Sequence, residues 1–220
     1  MKTFFFLLSL LFCTMLLAQQ PIRYVALGDS YTICTGAKTD ESWPVLLTKH
    51  LKENKINIEL IANPSHNGWT TVDLIEKELP IFDKSKPTFV TLLIGVNDWV
   101  QGNDVKTFQG HLVKILDHVQ AALPDKSKLV LITIPDFGVT PTGKNYYGSG
   151  RDISKGIAEF NAIIISEAKK RNLKTVDLFQ ASKAMETDES LIAPDGLHPS
   201  VKEYAIWETL IYPVVYSMLK

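Results

Sequence analysis

A serine that follows an apolar run, and an Asp–His pair near the other end of the chain, are the residues of this sequence best suited to chemistry. Ser30 stands in Gly28-Asp29-Ser30, directly after Tyr24-Val25-Ala26-Leu27. Asp195 and His198 stand in Asp195-Gly196-Leu197-His198-Pro199. Nucleophilic acyl transfer needs these three parts: a hydroxyl to attack, an imidazole to take its proton, and a carboxylate to orient the imidazole. Each segment also has an ordinary reading. Gly-Asp-Ser and Asp-Gly are common turn chemistry, and Ser30 reads equally as the N-cap of a following helix.

Two further segments fall in positions of the same kind. Asn63-Pro64-Ser65-His66-Asn67-Gly68-Trp69-Thr70 follows the apolar run from Ile58 to Ala62, and Gly95-Val96-Asn97-Asp98 follows the run from Phe89 to Ile94. The elements that must position these residues are legible as an alternation. Strand patterns fall at 23–27, 57–62, 88–94, 128–134 and 174–177, several of them continuously apolar as strands buried on both faces are. Helical spacing covers 42–54, 70–79, 105–123 and 153–171 between them, and a last helix over 201–219 is expected to bend at Pro213. Such alternation predicts a parallel sheet of about five strands wrapped on both faces, with chemistry gathered outside the carboxyl ends of the strands. Ser30, Gly68 and Asn97 each follow a strand pattern within a few residues. One connection is long, from Pro135 to Arg151, and leaves a sheet end beside them.

The four segments, in this order, resemble the blocks of the SGNH (GDSL-type) esterase and lipase family across nearly the whole chain. The resemblance implies a three-layer α/β/α, flavodoxin-like sandwich and a serine esterase. In that reading Ser30 is the nucleophile, His198 the general base and Asp195 its orienting partner. The oxyanion hole is formed by the N–H of Ser30, the N–H of Gly68, where a Cβ would intrude, and the side-chain amide of Asn97. Asp29 braces the turn, and Pro199 is expected to open the last helix at its first position. Tyr31, Cys34, His66, Trp69 and Trp99 are candidates for the substrate pocket, with core packing as the alternative. Cys34 is also a departure, since the family usually has Gly four residues after the nucleophile. A thiol there narrows the entrance, fills a gap, or is itself a nucleophile. The implied substrates are small-molecule, glycan or lipid esters: short-chain acyl, acetylated carbohydrate or lysophospholipid. The rival readings are an acyltransferase with the same triad and an inactive glycan-binding relative.

Composition sets the remaining limits. The chain of 220 residues, 45% hydrophobic and 21% charged, is enough for one domain with a full core, here 19–220. Lys2 followed by the apolar run Phe4 to Ala18 reads as a signal peptide, 1–18, removed on export to the periplasm or the outside. No stable membrane anchor is expected after cleavage. A net charge of −1 and no basic stripe argue against nucleic-acid binding. Cys13 leaves with the signal, so Cys34 has no disulfide partner within the chain. No His, Asp, Glu or Cys cluster has metal-ligand spacing, so neither metal nor cofactor is expected.

Overall fold

The apolar runs form five parallel strands in a computed structural model that describes residues 20–146 and 150–220. They are β1 (Ile22–Gly28), β2 (Ile58–Ala62), β3 (Phe89–Leu93), β4 (Leu129–Ile132) and β5 (Lys174–Val176), side by side in the order β2-β1-β3-β4-β5. Every residue of β3 and β4 is buried, whereas the edge strands β2 and β5 carry partly exposed positions. The continuously apolar patterns therefore mark the middle of the sheet.

The helices are α1 (Ser30–Ile33), α2 (Trp43–Glu53), α3 (Thr71–Asp73), α4 (Leu79–Ser85), α5 (Val96–Val100) and α6 (Val105–Ala122). The chain then forms α7 (Pro141–Lys144), α8 (Ile153–Lys170), α9 (Leu178–Ala181) and α10 (Val201–Leu219). One layer pairs α2 with α10 and the other pairs α6 with α8. In the second layer Phe108 and Phe160 stack with ring centroids 4.3 Å apart. The stripe Phe108, Leu112, Ile115, Leu116 and Val119 of α6 is buried, while Val105 remains exposed. Asp104, Asp152 and Ser200 cap α6, α8 and α10 by accepting backbone N–H bonds, each worth about 1 kcal/mol.

Two local differences from the sequence pattern have physical reasons. The helix expected over 70–79 continues to Ser85, because a π turn (Leu74–Glu78) links α3 to α4 just before Pro80, which has no N–H to give. The last helix covers 201–219 as expected, with Pro213 inside it. Pro199 is not the first residue of α10; Ser200 caps that helix, and Pro199 instead forms an isolated antiparallel bridge with Ile192.

The topology fixes where a site can lie. The chain leaves β1 for β2 on one side and returns to β3 on the other, so β1 and β3 flank a switch point. Ser30 begins α1 immediately beyond β1, and Asn97 lies in α5 immediately beyond β3. The long connection after β4 holds a 3₁₀ turn (Phe137–Val139) and α7, and it closes through Arg151, whose guanidinium donates to the carbonyls of Trp99 (2.8 Å) and Val100 (3.3 Å). Among the described residues no helix is long and apolar enough to cross a membrane. The expected signal segment, 1–18, lies outside the described residues.

Candidate active site

The turn carrying Ser30 is built from its neighbours. A Cβ on Gly28 would lie 2.2 Å from both the Leu93 carbonyl oxygen and Thr32 Oγ1, so β1 can pass this close to β3 only with glycine. Asp29, not Ser30, caps α1: its Oδ1 accepts the Tyr31 N–H at 3.0 Å. Burial pushes the Asp29 carboxyl up to about 7, against the pull of the Tyr31 N–H and with a further push from Asp98. Ser30 is therefore the first residue of α1, nearly buried, with its hydroxyl on the wall of a cavity.

Asn97 is placed by two contacts. Gly95 turns the chain out of β3 at a φ of 125°, where a Cβ would press within 2.6 Å of the Phe108 ring. The Asn97 side-chain amide donates one hydrogen to the Trp69 carbonyl at 2.9 Å, tying α5 to the Gly68 segment, and an amide has a second hydrogen to give. The two segments are joined again deeper down, where fully buried Asp98 accepts from the N–H of Thr71 (2.8 Å) and from its hydroxyl. Gly68 has a reason for being glycine other than the expected one. A Cβ there meets nothing within 4 Å, and the requirement is its φ of 78°, in the left-handed region.

Asp195 and His198 sit on one loop, which α7 also holds: the Thr142 N–H and hydroxyl donate to the carbonyls of Gly196 (3.0 Å) and Asp195 (3.3 Å). The bridge of Ile192 with Pro199 is closed by Ala193 N–H to the His198 carbonyl (2.7 Å) and Ser200 N–H to the Leu191 carbonyl (2.8 Å). Inside this loop Asp195 Oδ2 lies 2.6 Å from His198 Nδ1, while Oδ1 accepts the N–H groups of Leu197 and His198, each at 2.9 Å. Partial burial pushes the Asp195 carboxyl up, but the His198 ring and the two N–H groups outweigh it and hold it below the usual carboxylate range. With Nδ1 engaged, Nε2 is the ring nitrogen left for a ligand or hydroxyl. The Tyr31 ring meets the imidazole edge-on at 5.9 Å.

These segments converge on one cavity of about 310 Å³. Ser30, Gly68, Asn97 and His198 line it together with Tyr31, Asn67, Val96, Val100, Phe137, Thr142, Tyr146 and Leu197. Ser30 and His198 share this wall without a hydrogen bond between them. Of the five expected pocket residues, Tyr31 lines the cavity and the other four do not. Cys34 is buried at the left-handed end of α1 (φ 62°), where glycine is usual, and its thiol points at the Tyr31 and Thr32 carbonyls. Burial also pushes that thiol far up, which removes it as a nucleophile. His66 and Trp69 stack on each other at 5.1 Å, with Lys77 over the indole. Trp99 is wedged between Arg151, 4.0 Å from its ring, and the Phe137 edge, too close to α8 for any residue but Gly156. The apolar wall comes instead from Val96, Val100, Leu197 and the long connection. Phe137 and Tyr146 there carry the aromatic signal, but nothing in their spacing shows which way they face.

The sequence profile of the GDSL-like lipase/acylhydrolase family matches residues 26–206. Over 214 residues the chain is 23% identical to Esterase TesA of Pseudomonas aeruginosa, spanning 93% of this chain and 96% of that one. It is 30% identical over 121 residues to a multidomain esterase of Ruminococcus flavefaciens, which is 55% of this chain but only 14% of that protein's length. The crystal structure of Axe2, an acetylxylan esterase from Geobacillus stearothermophilus, shares the fold at a TM-score of 0.69 and 18% identity, covering 88% of this chain and 93% of that one. The matched span runs from β1 into α10 and contains every residue that lines the cavity, so the chain belongs to the GDSL-like lipase/acylhydrolase family.

Proposed function

We propose that this protein is an exported serine esterase that cleaves carboxylic esters through an acyl-enzyme on Ser30. His198 takes the hydroxyl proton at Nε2 as Ser30 attacks the carbonyl, and later returns it to the departing alcohol. Asp195 fixes the imidazole and stabilises its charged form. The N–H groups of Ser30 and Gly68 and the Asn97 amide receive the oxyanion, each such donor contributing roughly 3–4 kcal/mol in the transition state. Water activated by the same base then releases the acid.

The observation that carries this reading is the Asp195–His198 bond of 2.6 Å on a loop whose histidine shares one cavity with Ser30, Gly68 and Asn97. Among the described residues, and apart from His198, the cavity wall carries no ionisable acid or base stronger than tyrosine, which suits an uncharged acyl group. The name of the Geobacillus relative supports an acetylated carbohydrate or another short-chain ester. Export rests on the run from Lys2 through Ala18. The test is hydrolysis of a chain-length series of chromogenic acyl esters by wild type and Ser30→Ala. Turnover by wild type alone is the expected result. Equal turnover by folded Ser30→Ala overturns the assignment of the nucleophile.

A further inference from the structure

Glu78 is a buried acid that the proposed reaction does not use. It ends the π turn between α3 and α4, and none of its surface is exposed. Its Oε2 accepts the N–H of Gly28 at 3.0 Å, while its Oε1 is buried without a hydrogen-bond partner. Gly28 is the last residue of β1, two positions before Ser30. The pairing of β2 with β1 ends at Val25 opposite Ala62, so the ladder on that side stops before Gly28. Glu78 supplies the acceptor that the Gly28 N–H would otherwise lack. Glu78 shares a helical face with Thr71 and Leu74, both fully buried, and that face directs it inward.

We propose that Glu78 is a positioning residue for the nucleophile, fixing the Ser30 turn through its bond to the Gly28 N–H. This rests on the esterase reading. The unpartnered oxygen also specifies the form in which Glu78 works. A buried ionised carboxylate with one donor is poorly satisfied, whereas a neutral acid needs no counter-charge. Burial pushes the Glu78 carboxyl well above its usual range against the pull of the Gly28 N–H, and the charges that face it push the same way: Asp29 from the turn after β1 and Asp73 from its own helix. Asp98 stands behind Asp29 and raises it in turn. Lys77, beside Glu78 in sequence, is paired to Asp73 at 2.6 Å. Ionisation of Glu78 next to Asp29 therefore repels the turn it is meant to hold.

The experiment compares pH profiles of kcat and KM for wild type, Glu78→Gln and Glu78→Leu. Glutamine reproduces the neutral acid in shape and keeps the acceptor; leucine removes it. Leucine is expected to lower kcat about tenfold or more with KM changed less than about twofold, because the turn is displaced while the cavity remains. Glutamine is expected to restore kcat near neutrality and to extend the alkaline limb to higher pH than in wild type. A leucine variant with wild-type kcat, a glutamine variant as impaired as leucine, or coincident alkaline limbs overturns the role. If the leucine variant does not fold, the glutamine profile decides. A wild type without turnover on any ester is a different result: it overturns the esterase reading itself.

Discussion

Asp195 holds His198 at two places with one carboxylate: Oδ2 meets the ring nitrogen Nδ1 at 2.6 Å and Oδ1 accepts the backbone N–H of the same residue at 2.9 Å. One side chain thus sets the ring orientation and also ties down the backbone that carries it. Asp195→Asn separates the two tasks, because an amide oxygen keeps the backbone bond while the amide group cannot favour the imidazolium. The expected result is a folded protein whose kcat falls by about 10³–10⁴-fold. Steady-state kinetics beside circular dichroism checks this, and a loss below tenfold would remove Asp195 from the triad.

Asp29 gives the stability of the protein a pH dependence of definite sign. Its carboxyl is raised from 3.8 to about 7 in the folded state, chiefly by burial. Between these values the native state keeps a proton that the unfolded chain has released. The contribution is therefore complete below about pH 4 and is lost as pH rises to about 7, with a span on the order of 4 kcal/mol. Asp195 acts oppositely, its lowered carboxyl adding stability that is lost under acid conditions. Asp29→Asn keeps a capping oxygen for the Tyr31 N–H and removes the titration. Thermal unfolding from pH 4.5 to 8 is expected to show a flatter profile for the variant, and parallel profiles would contradict a buried, protonated Asp29.

Two glycines near the cavity differ in what they forbid. Gly28→Ala places a methyl 2.2 Å from backbone and side-chain atoms at once and is expected to abolish soluble folded protein. Gly68→Ala meets no atom within 4 Å and bears only the left-handed backbone, about 1–2 kcal/mol, or a Tm lower by roughly 2–8 °C. Expression and thermal melts of the pair measure the contrast. A Gly68 variant that fails as completely as Gly28 would mean that the loop is held more tightly than its surroundings indicate.

The sheet was legible because its signal is local. Five apolar runs of strand length, separated by helical spacing, leave few topologies, and Phe89–Leu93 and Leu129–Ile132 read as buried on both faces because they are. Ser30, Gly68 and Asn97 each follow a strand pattern, whereas His198 was joined to them by the resemblance to the SGNH family and not by spacing. The cavity wall was harder. Trp69 and Trp99 adjoin the right segments, but one ring stacks on His66 and the other on Arg151, and sequence adjacency carries no information about which way an indole turns. Phe137 and Tyr146 reach the cavity from the long connection, where no spacing shows which way an aromatic faces. Glu78 was invisible for a different reason. Helical spacing puts Glu78 on the face of Thr71 and Leu74, which is buried, but an acid in a Glu- and Lys-rich stretch reads as a solvated position.

Ser30 lies just beyond the first strand and His198 just before the last helix, and the cavity exists only where these two ends of the fold meet. Contacts between such distant parts of a chain bear the largest loop-closure entropy and form late in folding. During synthesis the polypeptide therefore carries Ser30 long before it carries His198, which the proposed reaction needs as its base. A chain that stops short of His198 is expected to be chemically silent, and turnover then reports that the fold has closed around both residues.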